Sequence, residues 1–136
     1  MGQVEFSQPG EAGYLGGRED PVYEANLKRF LEGGAEERQF GYLIPVDMLE
    51  QEDQVLVLAD LPGLSLDEVS VSLSGRVLTI EGRYPEAGSE GRVFFRERCS
   101  GPVKRSIVLP AGVAGARYSL ELNHGLLKVC IPHREP

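Results

Sequence analysis

Two cysteines and two histidines are the side chains best equipped for covalent or acid–base chemistry, and their settings give them little to do. Cys99 stands between Arg98 and Ser100, and nearby Arg96 would favour its thiolate. A nucleophile also needs a positioned base. His124 lies in a turn-like Asn-His-Gly and His133 in the last four residues, so neither is an obvious candidate. Cys130, between Val129 and Ile131, falls in a strand-like run, and both cysteines read as reduced thiols rather than as a disulfide. Asp47, Asp60, Asp67 and Glu68 read as solvated acids at strand ends and turns. No His/Cys/Asp/Glu spacing resembles a zinc or calcium site. The glycines form neither a GxGxxG nor a phosphate loop. No catalytic residue, metal or cofactor is expected, and the chain does not read as an enzyme.

Apolar surface is the more informative feature. Val93-Phe94-Phe95 follows a polar loop over 83–91, an odd place for consecutive aromatics in a monomer. It reads either as one more core strand or as a strand that packs on another subunit. The densest basic cluster, Arg96-Glu97-Arg98 with Lys104 and Arg105, reads either as a solvated strand face or as charge pairing across an interface.

The elements that must position these residues fall into two regions of a 136-residue, 14.9 kDa chain. Residues 1–40 are rich in glycine and carry more acids than bases, so a stable core there is implausible and the region is expected to be flexible. Within it, Asp20-Pro21 looks like a helix start, and Val22, Tyr23, Leu27, Phe30 and Leu31 recur at helical spacing before Gly33-Gly34. A short amphipathic helix at about 21–32 follows, marginal alone and in need of a partner for its apolar face.

From residue 41 the chain reads as about eight short strands. They are placed at Leu43–Glu50, Gln54–Ala59, Val69–Leu73, Val77–Ile80 (ended by Gly82), Arg92–Arg98, Val103–Leu109, Tyr118–Leu122 and Leu126–Ile131. Turns such as Leu61-Pro62-Gly63 and Asn123-His124-Gly125 separate them. The fold class is all-β, an immunoglobulin-like β-sandwich with a short N-terminal amphipathic helix.

The formal charge of −7 argues against nucleic acid and against an anionic membrane surface as partners. With no secretory signal or membrane-spanning run in the sequence, a cytoplasmic location is expected.

Several segments, in order, resemble the small heat-shock protein family, the α-crystallin-domain chaperones, over residues 41–132. They are Pro45-Val46-Asp47-Met48, Ala59-Asp60-Leu61-Pro62-Gly63, Asp67-Glu68-Val69-Ser70-Val71, Val77-Leu78-Thr79-Ile80-Glu81-Gly82, Arg96-Glu97-Arg98, Arg105, Leu109-Pro110 and His124-Gly125-Leu126-Leu127 with Val129 and Ile131-Pro132. The resemblance, to the bacterial type, implies an ATP-independent holdase that captures partly unfolded proteins under stress and limits their aggregation. It implies a homodimer, open to small higher oligomers, in which Val93, Phe94 and Phe95 reach across a two-fold axis to Val46, Asp47, Met48 and Leu49 of the partner. Arg105 falls on the family's interface arginine. Val69, Val71 and Leu73 would border, with Leu120 and Leu122, the groove that receives a partner's Ile-x-Ile/Val motif. Together with Val22, Leu27, Phe30 and Leu31 of the helix, this groove is the expected client surface. His124 stands where the family has asparagine and Leu120 where it has a small residue, and residues 133–136 look like a shortened tail without that motif. A co-chaperone adaptor of the CS-domain type is the runner-up, and a sandwich enzyme or carbohydrate-binding module the third reading.

Overall fold

The computed structural model describes residues 21–31, 43–86, 88, 90–113, 115 and 117–134. The flanking glycines and Asp20 of the predicted helix, residues 41–42 of the predicted domain, and the side chains of Phe30 and Leu31 lie outside that description. One α-helix, α1 (Pro21–Leu31), precedes seven strands: β1 (Val46–Glu50), β2 (Gln54–Asp60), β3 (Val69–Ser74), β4 (Val77–Tyr84), β5 (Gly101–Val108), β6 (Ser119–Asn123) and β7 (Leu126–Pro132). They form two antiparallel sheets, β1-β2-β7-β6 and β3-β4-β5.

Alternation decides which side chains meet between the sheets. In β2, Val55, Val57 and Ala59 are fully buried; in β7, Leu127, Val129 and Ile131 are; in β4, Leu78 and Ile80 are. With Val103 and Ile107 of β5 they make one continuous apolar core. Turn chemistry holds the register. His124 (φ 53°) and Gly125 (φ 79°) make the two-residue loop between paired Asn123 and Leu126, a left-handed pair of the kind that matches strand twist. Gly125 is also where Leu61 docks, its N–H donating to the Gly125 carbonyl at 2.7 Å, and a Cβ there would lie 2.9 Å from Pro62 Cα.

The structure corrects two strand predictions. β4 does not end at Gly82 but runs on to Tyr84. Gly82 is a space requirement instead, because a Cβ would meet Leu64 Cδ1 at 2.8 Å and Val103 Cγ2 at 3.3 Å. Arg92–Arg98 is no strand of either sheet, which leaves seven strands among the described residues rather than about eight. Its residues are exposed and without ladder partners among the described residues, and a strand exists only where a neighbour accepts its backbone hydrogen bonds.

Candidate functional site

Exposed carbon is concentrated in the segment between β4 and β5. Phe94 and Phe95 are 80% and 79% exposed and Val93 is 47% exposed, far from the burial such side chains find in a core. The Arg92 guanidinium lies 5.0 Å from the centre of the Phe94 ring, a cation–π contact that steadies the ring without burying it. The guanidinium of Arg96 donates to the Gly88 carbonyl. That bond directs Arg96 into its own loop. Cys99 has its thiol pushed up by burial, against the expectation that Arg96 would favour the thiolate. Cys130 is half-buried on β7, opposite Ser119. Among the described residues no group of three His, Cys, Asp or Glu side chains could hold a metal ion.

β1 pairs with β2 on one side only, so it is an edge strand. Val46 and Met48 are half-buried and oppose the core residues Ala59 and Val57, while Asp47 and Leu49 point to the other face, Leu49 43% exposed. The structure thus divides the four predicted β1 residues between two faces, and within one chain it does not bring Val93–Phe95 to β1. Arg105 does reach the entry to β1. Its Nη1 donates to the carbonyl of fully buried Ile44 at 2.9 Å, which ties β5 of one sheet to the approach to β1 of the other.

β3 and β6 are the edge strands of the two sheets on the other flank. Val69, Val71, Leu73, Leu120 and Leu122 are all half-buried and pack against the core from those edges. Sequence alternation missed what joins them. Tyr118, just before β6 rather than within it, donates its hydroxyl to the Val71 carbonyl at 2.8 Å. The phenol therefore spans the two edges and takes an acceptor on β3. An amphipathic Tyr at a half-buried strand end, with carbon inside and a hydroxyl needing a partner, was the available signal.

The predicted helix face is only partly buried. Val22 and Leu27 are half-buried, and α1 meets β5. The groups that fix it there are Asn26 and Arg29, which apolar periodicity does not single out. Among the described residues no helix is long and apolar enough to cross a membrane.

Comparison with known proteins places these features. The sequence profile of the Hsp20/alpha crystallin family matches residues 47–136. A probable 15 kDa heat shock protein of Leptospira interrogans is 32% identical over 91 residues, 67% of this chain and 70% of that protein. Other relatives are longer, the match spanning 23% of one and 41% of another. Among solved structures, a small heat-shock protein from Xylella fastidiosa superposes with a TM-score of 0.62 at 27% identity, over 70% of this chain and 89% of that one. Heat shock protein 16.0 from Schizosaccharomyces pombe gives a TM-score of 0.62 at 31% identity, over 69% and 89% of the two chains. The two-sheet architecture is the α-crystallin β-sandwich, and the chain belongs to the Hsp20/alpha crystallin family of stress chaperones.

Proposed function

We propose that this protein is an ATP-independent holdase, acting in the cytoplasm on partly unfolded proteins through apolar surface rather than through a catalytic group. The observation that carries the reading is the pair Phe94 and Phe95, about four-fifths exposed where the other large apolar side chains among the described residues are mostly buried or half-buried. Burying apolar area yields about 25 cal/mol per Å² whatever the partner's sequence, which suits varied clients. The half-buried edge residues Val69, Val71, Leu73, Leu120 and Leu122 extend the candidate client surface, with Val22 and Leu27 of α1 available when the helix leaves the sheet. The domain that does this work spans residues 41–132, preceded by residues 1–40 and followed by residues 133–136.

The same aromatic segment supports a homodimer by strand exchange. The outer edge of β1 offers a ladder, the 92–98 segment needs one, and the two do not meet within one chain. Val93, Phe94 and Phe95 of one protomer would then cover Val46, Asp47, Met48 and Leu49 of its partner. Arg105 would hold the entry to β1 in place from behind. The Xylella relative is described as having a distinct high order structure, in line with assembly beyond a dimer in this family.

Light scattering of a heat-labile protein tests the reading, with and without this chain and with no nucleotide. Suppression at near-stoichiometric ratio is the expected result. A client that aggregates as it does alone would remove the holdase reading and leave a narrower adaptor role.

A further inference from the structure

α1 lies against the outer edge of β5 and meets it with polar groups. Of the two buried polar residues among the described ones, Asn26 (8% exposed) belongs to α1 and Ser106 (4% exposed) to β5, where its hydroxyl pairs with that of Thr79 on β4 at 3.1 Å and its carbonyl is met by α1. Asn26 Nδ2 donates to the Val108 carbonyl at 2.8 Å, and the Val108 N–H donates back to Asn26 Oδ1 at 2.9 Å. This closed pair of bonds is what two residues of neighbouring antiparallel strands exchange. The asparagine amide, chemically a copy of a peptide group, thus stands in for an adjacent strand. One turn on, Arg29 Nε donates to the Ser106 carbonyl at 3.2 Å. Alternate residues of a strand turn their backbone groups to the same edge, so Ser106 and Val108 are successive positions of one ladder. The helix closes a stretch of edge that would otherwise accept another strand.

That closure is easily undone. α1 has 11 residues, fewer than the roughly 12–15 at which an isolated helix persists, and Val22, Tyr23 and Leu27 are only half-buried. We infer that the outer edge of β5 at Ser106–Val108 is a docking site for the extended backbone of an unfolded polypeptide, and that α1 covers it through Asn26 until it is displaced. The inference rests on the holdase reading and deepens it. What the edge offers is one N–H and one C=O side by side, met here by the Asn26 amide, and every extended residue of an unfolded client other than proline presents the matching pair along one edge of its backbone. Strand addition of this kind takes its affinity from main-chain hydrogen bonds, so it is tolerant of client sequence.

Amide hydrogen exchange on the full chain tests this, read at Val108, whose N–H faces α1, and at Ile107, whose N–H faces β4. Asn26→Ala should speed exchange at Val108 at least tenfold and leave Ile107 unchanged. Adding a permanently unfolded, carboxymethylated protein should restore protection at Val108, and an extended peptide with its backbone nitrogens methylated should not. Val108 unchanged in the variant would show that Asn26 is not the cover. Val108 opened but not re-protected by the unfolded probe would overturn the docking site. Protection that returns with the chain's own concentration, without probe, would assign the edge to a second copy instead. If Asn26→Ala also loses protection at Ile107, Arg29→Met, which removes the second bond outside the core, is read by the same criteria. Re-protection of Val108 without any suppression of client aggregation would defeat the holdase reading while the edge site stood.

Discussion

At the scale of single residues, two hydrogen-bonding and steric demands set measurable costs. Arg105 satisfies a carbonyl on a residue with no solvent exposure, so Arg105→Met leaves the Ile44 carbonyl buried without that donor. A loss of about 1–3 kcal/mol is expected, read as a lower urea midpoint with unchanged slope, and Arg105→Lys should recover only part because an ammonium cannot copy the guanidinium's fixed fork. Gly75 and Gly125 separate backbone strain from crowding. Both have positive φ, 60° and 79°, but a Cβ at Gly75 meets open space while one at Gly125 meets Pro62 Cα at 2.9 Å. Gly75→Ala should cost about 1–2 kcal/mol from the left-handed backbone alone. Gly125→Ala should cost clearly more, since the Pro62 backbone must shift as well; equal midpoints for the two variants would show that the hairpin and the Pro62 turn separate without penalty.

At the scale of elements, the short 3₁₀ helix Leu66–Glu68 leading into β3 carries a pH dependence. The Asp67 carboxyl is held below its ordinary value of 3.8 chiefly by the Ser65 hydroxyl, and that of Glu68 below 4.5 chiefly by the Ser65 backbone N–H, with the hydroxyl second. Folded values below the unfolded ones mean stability that is complete above about pH 4.5 and is lost as pH falls through the lowered values. Ser65→Ala removes the hydroxyl but keeps the N–H, so it should shrink the part due to Asp67 more than the part due to Glu68. Carboxyl titration followed by NMR, beside urea midpoints between pH 2 and 6, checks this. Most elements of this kind were legible in the sequence. Alternation marked β3 and β6 because one face of each is apolar, and Asn-His-Gly marked the tight hairpin that leads into β7. Three features were not. Gly82 reads as a stop because glycine usually ends strands, whereas here the strand continues and the missing Cβ makes room for Leu64. Asn26 and Arg29 fall outside the apolar spacing that marked the helix, and periodicity reports where carbon lies and not which polar groups find a strand edge. Arg92–Arg98 has the composition of a strand, but a strand also needs a partner, and composition does not supply one.

At the scale of the whole molecule, the aromatic segment links assembly to chaperone action, and the two can be separated from folding. Phe94 and Phe95 bury little within one chain, so Phe94→Ser with Phe95→Ser should leave the monomer's core and its unfolding slope unchanged. Between protomers the same rings would contribute about 1.5–3 kcal/mol each once covered. A two-fold dimer covers four such rings, two from each protomer, so their loss should weaken it by at least about four orders of magnitude in its dissociation constant, visible by sedimentation velocity as a shift to monomer at micromolar concentration. Leu49, 43% exposed on the outward face of β1, is the matching probe on the other side, and Leu49→Ser should move the equilibrium in the same direction by a smaller amount. Scattering assays on the same samples then decide what the rings are for. If monomerised protein still suppresses aggregation, the client surface lies on the β3 and β6 edges or on β5, and the aromatics serve assembly. If suppression falls in proportion to the rings removed while the mass stays dimeric, Phe94 and Phe95 contact clients directly and another edge joins the protomers.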